Sequence, residues 1–187
     1  MVKQKTSWKG KTWYTLIAPK MFGEFVIGET PVSDPKNLTG RAVEVSAMDL
    51  IKNTPKYYFT IFLKYDKVSD QKIQTKYVGQ ECARDFITRM VRRGARRIDN
   101  REILTTKDGR KIIVKTVSIT LKRTTTSIKE SVRCQISQTL KKLVEKKNLE
   151  EFIKDTFSGA AQKIIQKEAT KQYPVRQVEI RKIEVLD

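Results

Sequence analysis

The strongest constraint on the fold is one change of apolar period in the second half of the chain. Residues 98–123 read IDNREILTTKDGRKIIVKTVSITLKR, two β-rich runs on either side of Asp108-Gly109. Val117, Ile119 and Leu121 alternate with Ser118 and Thr120, the period of a strand with two unlike faces. Asp-Gly between such runs predicts a hairpin closed by a two-residue type I′ turn. Beyond it the period lengthens. Ile128, Val132, Ile136, Leu140 and Val144 recur at every fourth residue, with Leu143 beside them, which makes one apolar ridge on a long helix. Ser127 and Glu130 supply an S-x-x-E capping box at its start. A chain that must bury both a sheet face and a helical ridge belongs to the α+β class.

The remaining elements fit that class. Residues 41–46 read as a strand, and AMDLI after it as one helical turn. In YYFTIFLKYDKV, Tyr57, Phe59, Ile61, Leu63 and Tyr65 share a face, and KIQTKYVGQ is its hairpin partner across VSDQ. Residues 81–93 carry Phe86, Ile87, Met90 and Val91 at helical spacing, and Gly94 suits a left-handed helix stop. Helices are predicted over 149–157 and 160–172, separated by Gly159. The last strand, VRQVEIRKIEVL, changes apolar phase between Ile180 and Ile183, which predicts a bulge. We expect an extended basic arm over residues 1–11. Residues 12–187 should then form a single compact α+β domain, a mostly antiparallel sheet or barrel packed with about three to four helices.

Charge narrows the function. Lys and Arg number 39 against 21 Asp and Glu, a net charge of +18. Such an excess says little about fold and much about partners, because it repels itself unless a polyanion or salt compensates. Histidine is absent, which removes Ser-His and Cys-His nucleophilic pairs and a histidine base. Cys82 and Cys134 have no paired spacing, so both read as small buried hydrophobes of an intracellular protein. No stretch approaches the length of a spanning helix, and the basic first residues lead into no apolar run, so neither a membrane nor a signal peptide is expected. GKT at 10–12 fails as a phosphate loop, since Lys5 stands where the motif needs glycine. Glu150/Glu151 and Glu44/Asp49 read as solvated or capping acids, not catalytic pairs. We expect no enzyme activity, no metal, no cofactor and no small-molecule substrate.

Nucleic acid is the polyanion that fits best. Four basic features occur together, where any one alone reads as a solvated face. The first is the arm, with Lys3, Lys5, Trp8, Lys9 and Lys11; residues 1–23 hold five lysines and no acid. The second is RRGARR, with Arg92, Arg93, Arg96 and Arg97. The third is Lys122-Arg123 at a strand end, and the fourth is Arg133, Lys141 and Lys142 on the long helix. Guanidinium forks grip phosphate oxygens in pairs, and Trp8 is placed to stack on unpaired bases. Trp13 and Tyr14 fit core packing at least as well as stacking.

Four segments resemble a known family. KTWYTLIAPKMFGEFVIGET, LTGRAVEVSAMDL, TTKDGRKIIVKTVSIT and YPVRQVEIRKIEVL occur in this order. Together they resemble, along nearly the whole chain, the archaeal and eukaryotic small-subunit ribosomal proteins of the S3Ae type, and the compact length is similar to archaeal members. The resemblance implies a cytoplasmic structural protein of the ribosome's small-subunit platform. It would lie on ribosomal RNA near the messenger exit, beside other platform proteins and within reach of messenger RNA. The alternative that shares the charge is a free-standing RNA-binding or RNA-remodelling factor.

Overall fold

The computed structural model describes residues 10–34, 38, 40–51, 56–69 and 71–186. Most of the expected arm, with Lys3, Lys5, Trp8 and Lys9, lies outside the described residues.

Eight strands make one sheet: β1 (Thr12–Ile17), β2 (Val26–Val32), β3 (Ala42–Ser46), β4 (Phe59–Ser69), β5 (Lys72–Cys82), β6 (Arg97–Thr105), β7 (Lys111–Thr120) and β8 (Val175–Leu186). Among the described residues five α-helices accompany them: α1 (Ala47–Leu50), α2 (Arg84–Met90), α3 (Thr126–Glu145), α4 (Leu149–Ser158) and α5 (Ala160–Thr170). The domain is α+β as expected, with one helix more than the upper expectation because α1 is a single turn.

The sheet forks at β5. One edge of β5 pairs with β4, which carries β3 on its far side. The other edge is shared, since Lys72–Gln74 pair in parallel with β1 and Gly79–Glu81 pair antiparallel with β8. Eleven extended residues reach roughly 36 Å, enough for two partners end to end. One branch ends at β2, and the other runs β8-β7-β6. The barrel alternative is therefore overturned: the path has free ends at β2 and β6, and the sheet stays open.

Local chemistry explains where the elements stop. Phe59, Ile61, Leu63 and Tyr65 are buried on one face of β4, but Tyr57 precedes the strand and is 64 % exposed. The β6–β7 hairpin is real with a different turn. Thr105 pairs with Lys111, the amide of Gly109 donates to Thr106 O at 2.9 Å, and that of Thr106 donates to Arg110 O at 2.9 Å. Gly109 takes φ 76° while Asp108 stays out of the left-handed region. A type I′ turn needs positive φ at both central residues, so a longer loop with glycine at its last position forms instead. The bulge expected in β8 falls at Arg181, since Lys115 faces Lys182 and Thr116 faces Ile180. A second one falls at Arg176, between the Ile119–Gln177 and Thr120–Val175 pairs.

Val132, Ile136, Leu140 and Val144 of α3 are fully buried in the main core with Val114, Val117, Ile119, Phe152 and Ile165. The capping box expected at Ser127 and Glu130 does not form. Thr125 is the N-cap, the Ser127 hydroxyl bonds that of Thr125, and Glu130 turns to Arg133. A capping box closes α4 instead, between Asn148 and Glu151. Helix α2 is shorter than its apolar pattern, because Glu81 and Cys82 remain in β5 and Val91 is already extended. Gly94 therefore serves the loop into β6, with φ 82°, rather than stopping the helix. Cys82 is buried as expected, whereas Cys134 is exposed on α3.

The fork carries a packing requirement at Gly79. A Cβ there would lie 2.4 Å from Ile183 O across the β5–β8 seam. We expect Gly79→Ala to destabilise the protein by about 1–3 kcal/mol, as overpacking does. Gly28→Ala, where a Cβ meets nothing within 4 Å, should stay within about 0.5 kcal/mol. Urea unfolding of the two variants checks this, and equal midpoints would contradict it.

Candidate nucleic-acid interface

The antiparallel order brings the start of β6, the end of β7 and the start of β8 to one end of the sheet. Arg92, Arg93, Arg96 and Arg97 precede or open β6, Lys122 and Arg123 follow β7, and Arg176 is the bulged residue at the start of β8. All are exposed. The sequence separates these residues by up to 84 positions; the strand pairing puts them side by side.

Backbone and hydroxyl bonds fix this end. The Thr120 amide donates to Arg96 O at 3.0 Å, and the Arg96 amide donates to Thr120 Oγ1 at 3.0 Å. The same hydroxyl donates to Lys122 O at 2.8 Å. The Leu121 amide donates to Pro174 O at 3.1 Å, and the Tyr173 hydroxyl to Arg123 O at 3.3 Å. Side-chain oxygens and carbonyls thus take up the polar backbone groups while the cationic side chains point to water.

Carboxylates are scarce here. Asp99 Oδ1 accepts from Nε and Nη2 of Arg97 at 3.0 and 2.8 Å. Both partners are exposed, so the pair contributes at most about 1 kcal/mol. Half-buried Arg133 donates from Nη1 to Glu130 at 2.6 Å and from Nε to Asp99 O at 3.2 Å, which ties α3 to β6. Among the described residues, Arg92, Arg93, Arg96, Lys122 and Arg123 have no carboxylate partner.

The other expected residues sit elsewhere. Lys141 and Lys142 lie eight and nine residues beyond Arg133, roughly 12–14 Å along α3. Lys142 faces α5, where Lys171 bonds Glu168 at 2.8 and 2.9 Å. Hydrogen bonding from Lys171, with the charges of Lys171, Lys167 and Lys142, holds the Glu168 carboxyl below the ordinary carboxylate range. Lys11 precedes β1 on the other branch of the sheet, away from the arginines. Tyr14 is core, and Trp13 is 52 % exposed, against the core packing expected for it. Lys167, Lys171 and Arg176 were missed. No sequence signal marks the lysines, which join the surface only through the packing of α5 on α3, but the apolar phase break that reveals the Arg181 bulge has a weaker counterpart at Arg176.

The buried ionisable groups form a separate, closed cluster. Lys56 Nζ lies 3.2 Å from Glu179 Oε1 and donates to Thr156 O at 2.6 Å. Gln162 Nε2 donates to the same two acceptors, at 2.9 and 3.0 Å. Burial pulls the Lys56 ammonium below its ordinary value, with Glu179 opposing. Burial, then the charge of Glu179, pushes the nearby Cys82 thiol up to about 12, so it stays protonated and unreactive. Among the described residues no cluster of acids and cysteines could hold a metal ion, and no helix is long and apolar enough to cross a membrane.

A sequence model of the Ribosomal S3Ae family matches residues 2–187. The chain belongs to this family. It is thus a ribosomal protein, structural rather than enzymatic. It is 34 % identical over 183 residues to small ribosomal subunit protein eS1 of Methanothermobacter thermautotrophicus, covering 98 % of this chain and 94 % of that one. The eS1 protein of Methanopyrus kandleri is 35 % identical over 191 residues, with 100 % and 90 % covered. That of Sulfolobus acidocaldarius is 36 % identical over 183 residues, with 97 % and 93 % covered.

Substitutions at Thr120 and in the Lys56–Glu179 pair probe the pinned strand ends and the buried cluster separately. Thr120→Val leaves the Arg96 amide without its acceptor and should destabilise by about 1–3 kcal/mol. Amide exchange at Arg96 should speed up more than at the centre of β7, and uniform exchange would contradict the pinning. Lys56→Met strands the Glu179 charge and should destabilise by about 3–5 kcal/mol. Adding Glu179→Leu should recover most of that in denaturant unfolding, and no recovery would show that Lys56 acts through other contacts.

Proposed function

We propose that this chain is a structural constituent of the small ribosomal subunit, held on ribosomal RNA by the basic end of its sheet. The observation that carries the reading is geometric. Seven exposed cations from three strand ends share one surface where Asp99 is the acceptor of the Arg97 guanidinium and, among the described residues, the remaining arginines of the loop have no acid opposite. Phosphate oxygens supply the missing charge, and guanidinium forks bind them bidentately. Such contacts position a protein on RNA without reading sequence. Lys3, Lys5, Trp8, Lys9 and Lys11 add a second grip through the arm, and Lys141 with Lys142 a third along α3.

The curated relatives are named as small-subunit proteins, and the sequence resemblance implies a place on the platform near the messenger exit. Neighbouring platform proteins are then partners, and messenger RNA passes within reach. The role is to neutralise and clamp folded RNA, with no turnover. At physiological salt a constituent sediments one-to-one with the small subunit, whereas a free-standing RNA factor stays at the top of the gradient.

The direct test replaces Arg92, Arg93, Arg96 and Arg97 by Gln together. Measured against small-subunit RNA over a range of salt, the slope of log K against log salt should flatten by about 3, at roughly 0.7 per lost contact. An unchanged slope in a folded variant would return the cluster to solvent.

A further inference from the structure

The basic surface continues past Arg123. The Tyr173 hydroxyl bonds Arg123 O at 3.3 Å, and Ser131 of α3 bonds Gln172 at 3.3 Å. These bonds lay the last turn of α5 between the strand ends and α3. Lys171 is two residues from Tyr173 and bonds Glu168, and the charges of Lys167 and Lys142 act on the same carboxylate. One carboxylate among three lysines leaves this stretch positive. A band of cations therefore runs from the arginine loop, around the end of the sheet, and onto the α3–α5 face.

We infer that this band binds a double-helical segment of RNA along its phosphates. The inference rests on the RNA-binding function proposed above and adds the form of RNA bound. Unpaired bases are held by stacking on aromatic rings or guanidinium planes; among the described residues the band offers no free aromatic ring, and its α3–α5 part holds no arginine. Tyr173 is half-buried with its hydroxyl committed to Arg123 O. Among the described residues the exposed aromatics lie off the path: Trp13 is on the other branch of the sheet, and Tyr57 packs edge-on to Tyr58 before β4. The helical part of the band is lysine, a point charge without the flat fork that stacks on a base or pairs with its edge. Lysines on two rigid helices suit a regular backbone. Duplex RNA presents one, and its narrow major groove hides the base edges.

The test uses the full chain with a hairpin whose stem is about 16 base pairs, and an unstructured strand of equal length. Wild type should bind the hairpin at least tenfold more tightly at physiological salt. A variant with Lys142→Gln, Lys167→Gln and Lys171→Gln should flatten the salt slope on the hairpin by about 2–3, at roughly 0.9 per contact on a duplex. A matched variant with Lys107→Gln, Lys111→Gln and Lys154→Gln removes the same charge at the opposite end of the sheet and should leave the slope within about 1 of wild type. Equal or tighter binding of the single strand overturns the duplex inference and leaves the RNA-binding function standing. Equal effects of the two triple variants reduce the band to net charge and overturn it too. If wild type binds neither RNA, the RNA-binding function itself falls.

Discussion

Like charges on neighbouring side chains push a loop open unless the backbone beneath them is held. At 4 Å two unit charges repel by about 1 kcal/mol in water and by several times that near a protein surface. The hold here is the pairing of β6, β7 and β8, completed by one buried hydroxyl. Thr120 is fully buried, and its side chain and amide tie Arg96 to the end of β7. Arg133 reaches from α3 to the carbonyl of Asp99 and locks the helix to the same strand. The backbone that carries the cations is thus held before any partner arrives, and a preorganised backbone loses less freedom on binding.

The interior and the surface divide the polar chemistry between them. Inside, Lys56 and the Gln162 amide nitrogen both donate to Glu179 and to the Thr156 carbonyl, which joins the segment before β4 to α4, α5 and β8. Nearby Cys82 is held protonated by burial. Outside, the cations have few acids opposite, and their net field is left for an anionic partner. The far end of the sheet differs. There the Leu149 amide of α4 donates to the Asp108 carboxylate, and Lys147 pairs with Asp155, so charges of both signs cancel locally.

How much of this was legible in the sequence follows from the range of each interaction. The period-two runs gave β4, β5, β7 and β8 because one buried face imposes alternation, and even the Arg181 bulge shows as a slipped phase. The α3 ridge was legible for the same reason. Capping was not, since Thr125, Ser127 and Asn148 all have suitable side chains and tertiary packing chooses among them. The Asp108-Gly109 turn was found at the right place with the wrong geometry, because the dipeptide marks a reversal and the register of the flanking strands sets its length. Long-range facts were hidden altogether. Nothing local says that β5 shares one edge between β1 and β8, which is why the sequence leaves a sheet and a barrel both open. The arginine cluster was visible as composition, but its union with Lys122, Arg123 and Arg176 required the strand order, and Lys167 and Lys171 required the packing of α5 on α3.

The central claim is that folded RNA relieves the repulsion stored at one end of this sheet. A residue-resolved crosslinking map between the protein and RNA in intact small subunits tests it most directly. The account predicts RNA crosslinks concentrated at residues 92–97, 122–123, 142, 167 and 171, with few at 107–111. Crosslinks confined to that opposite end, with the arginine loop unmodified, would contradict it.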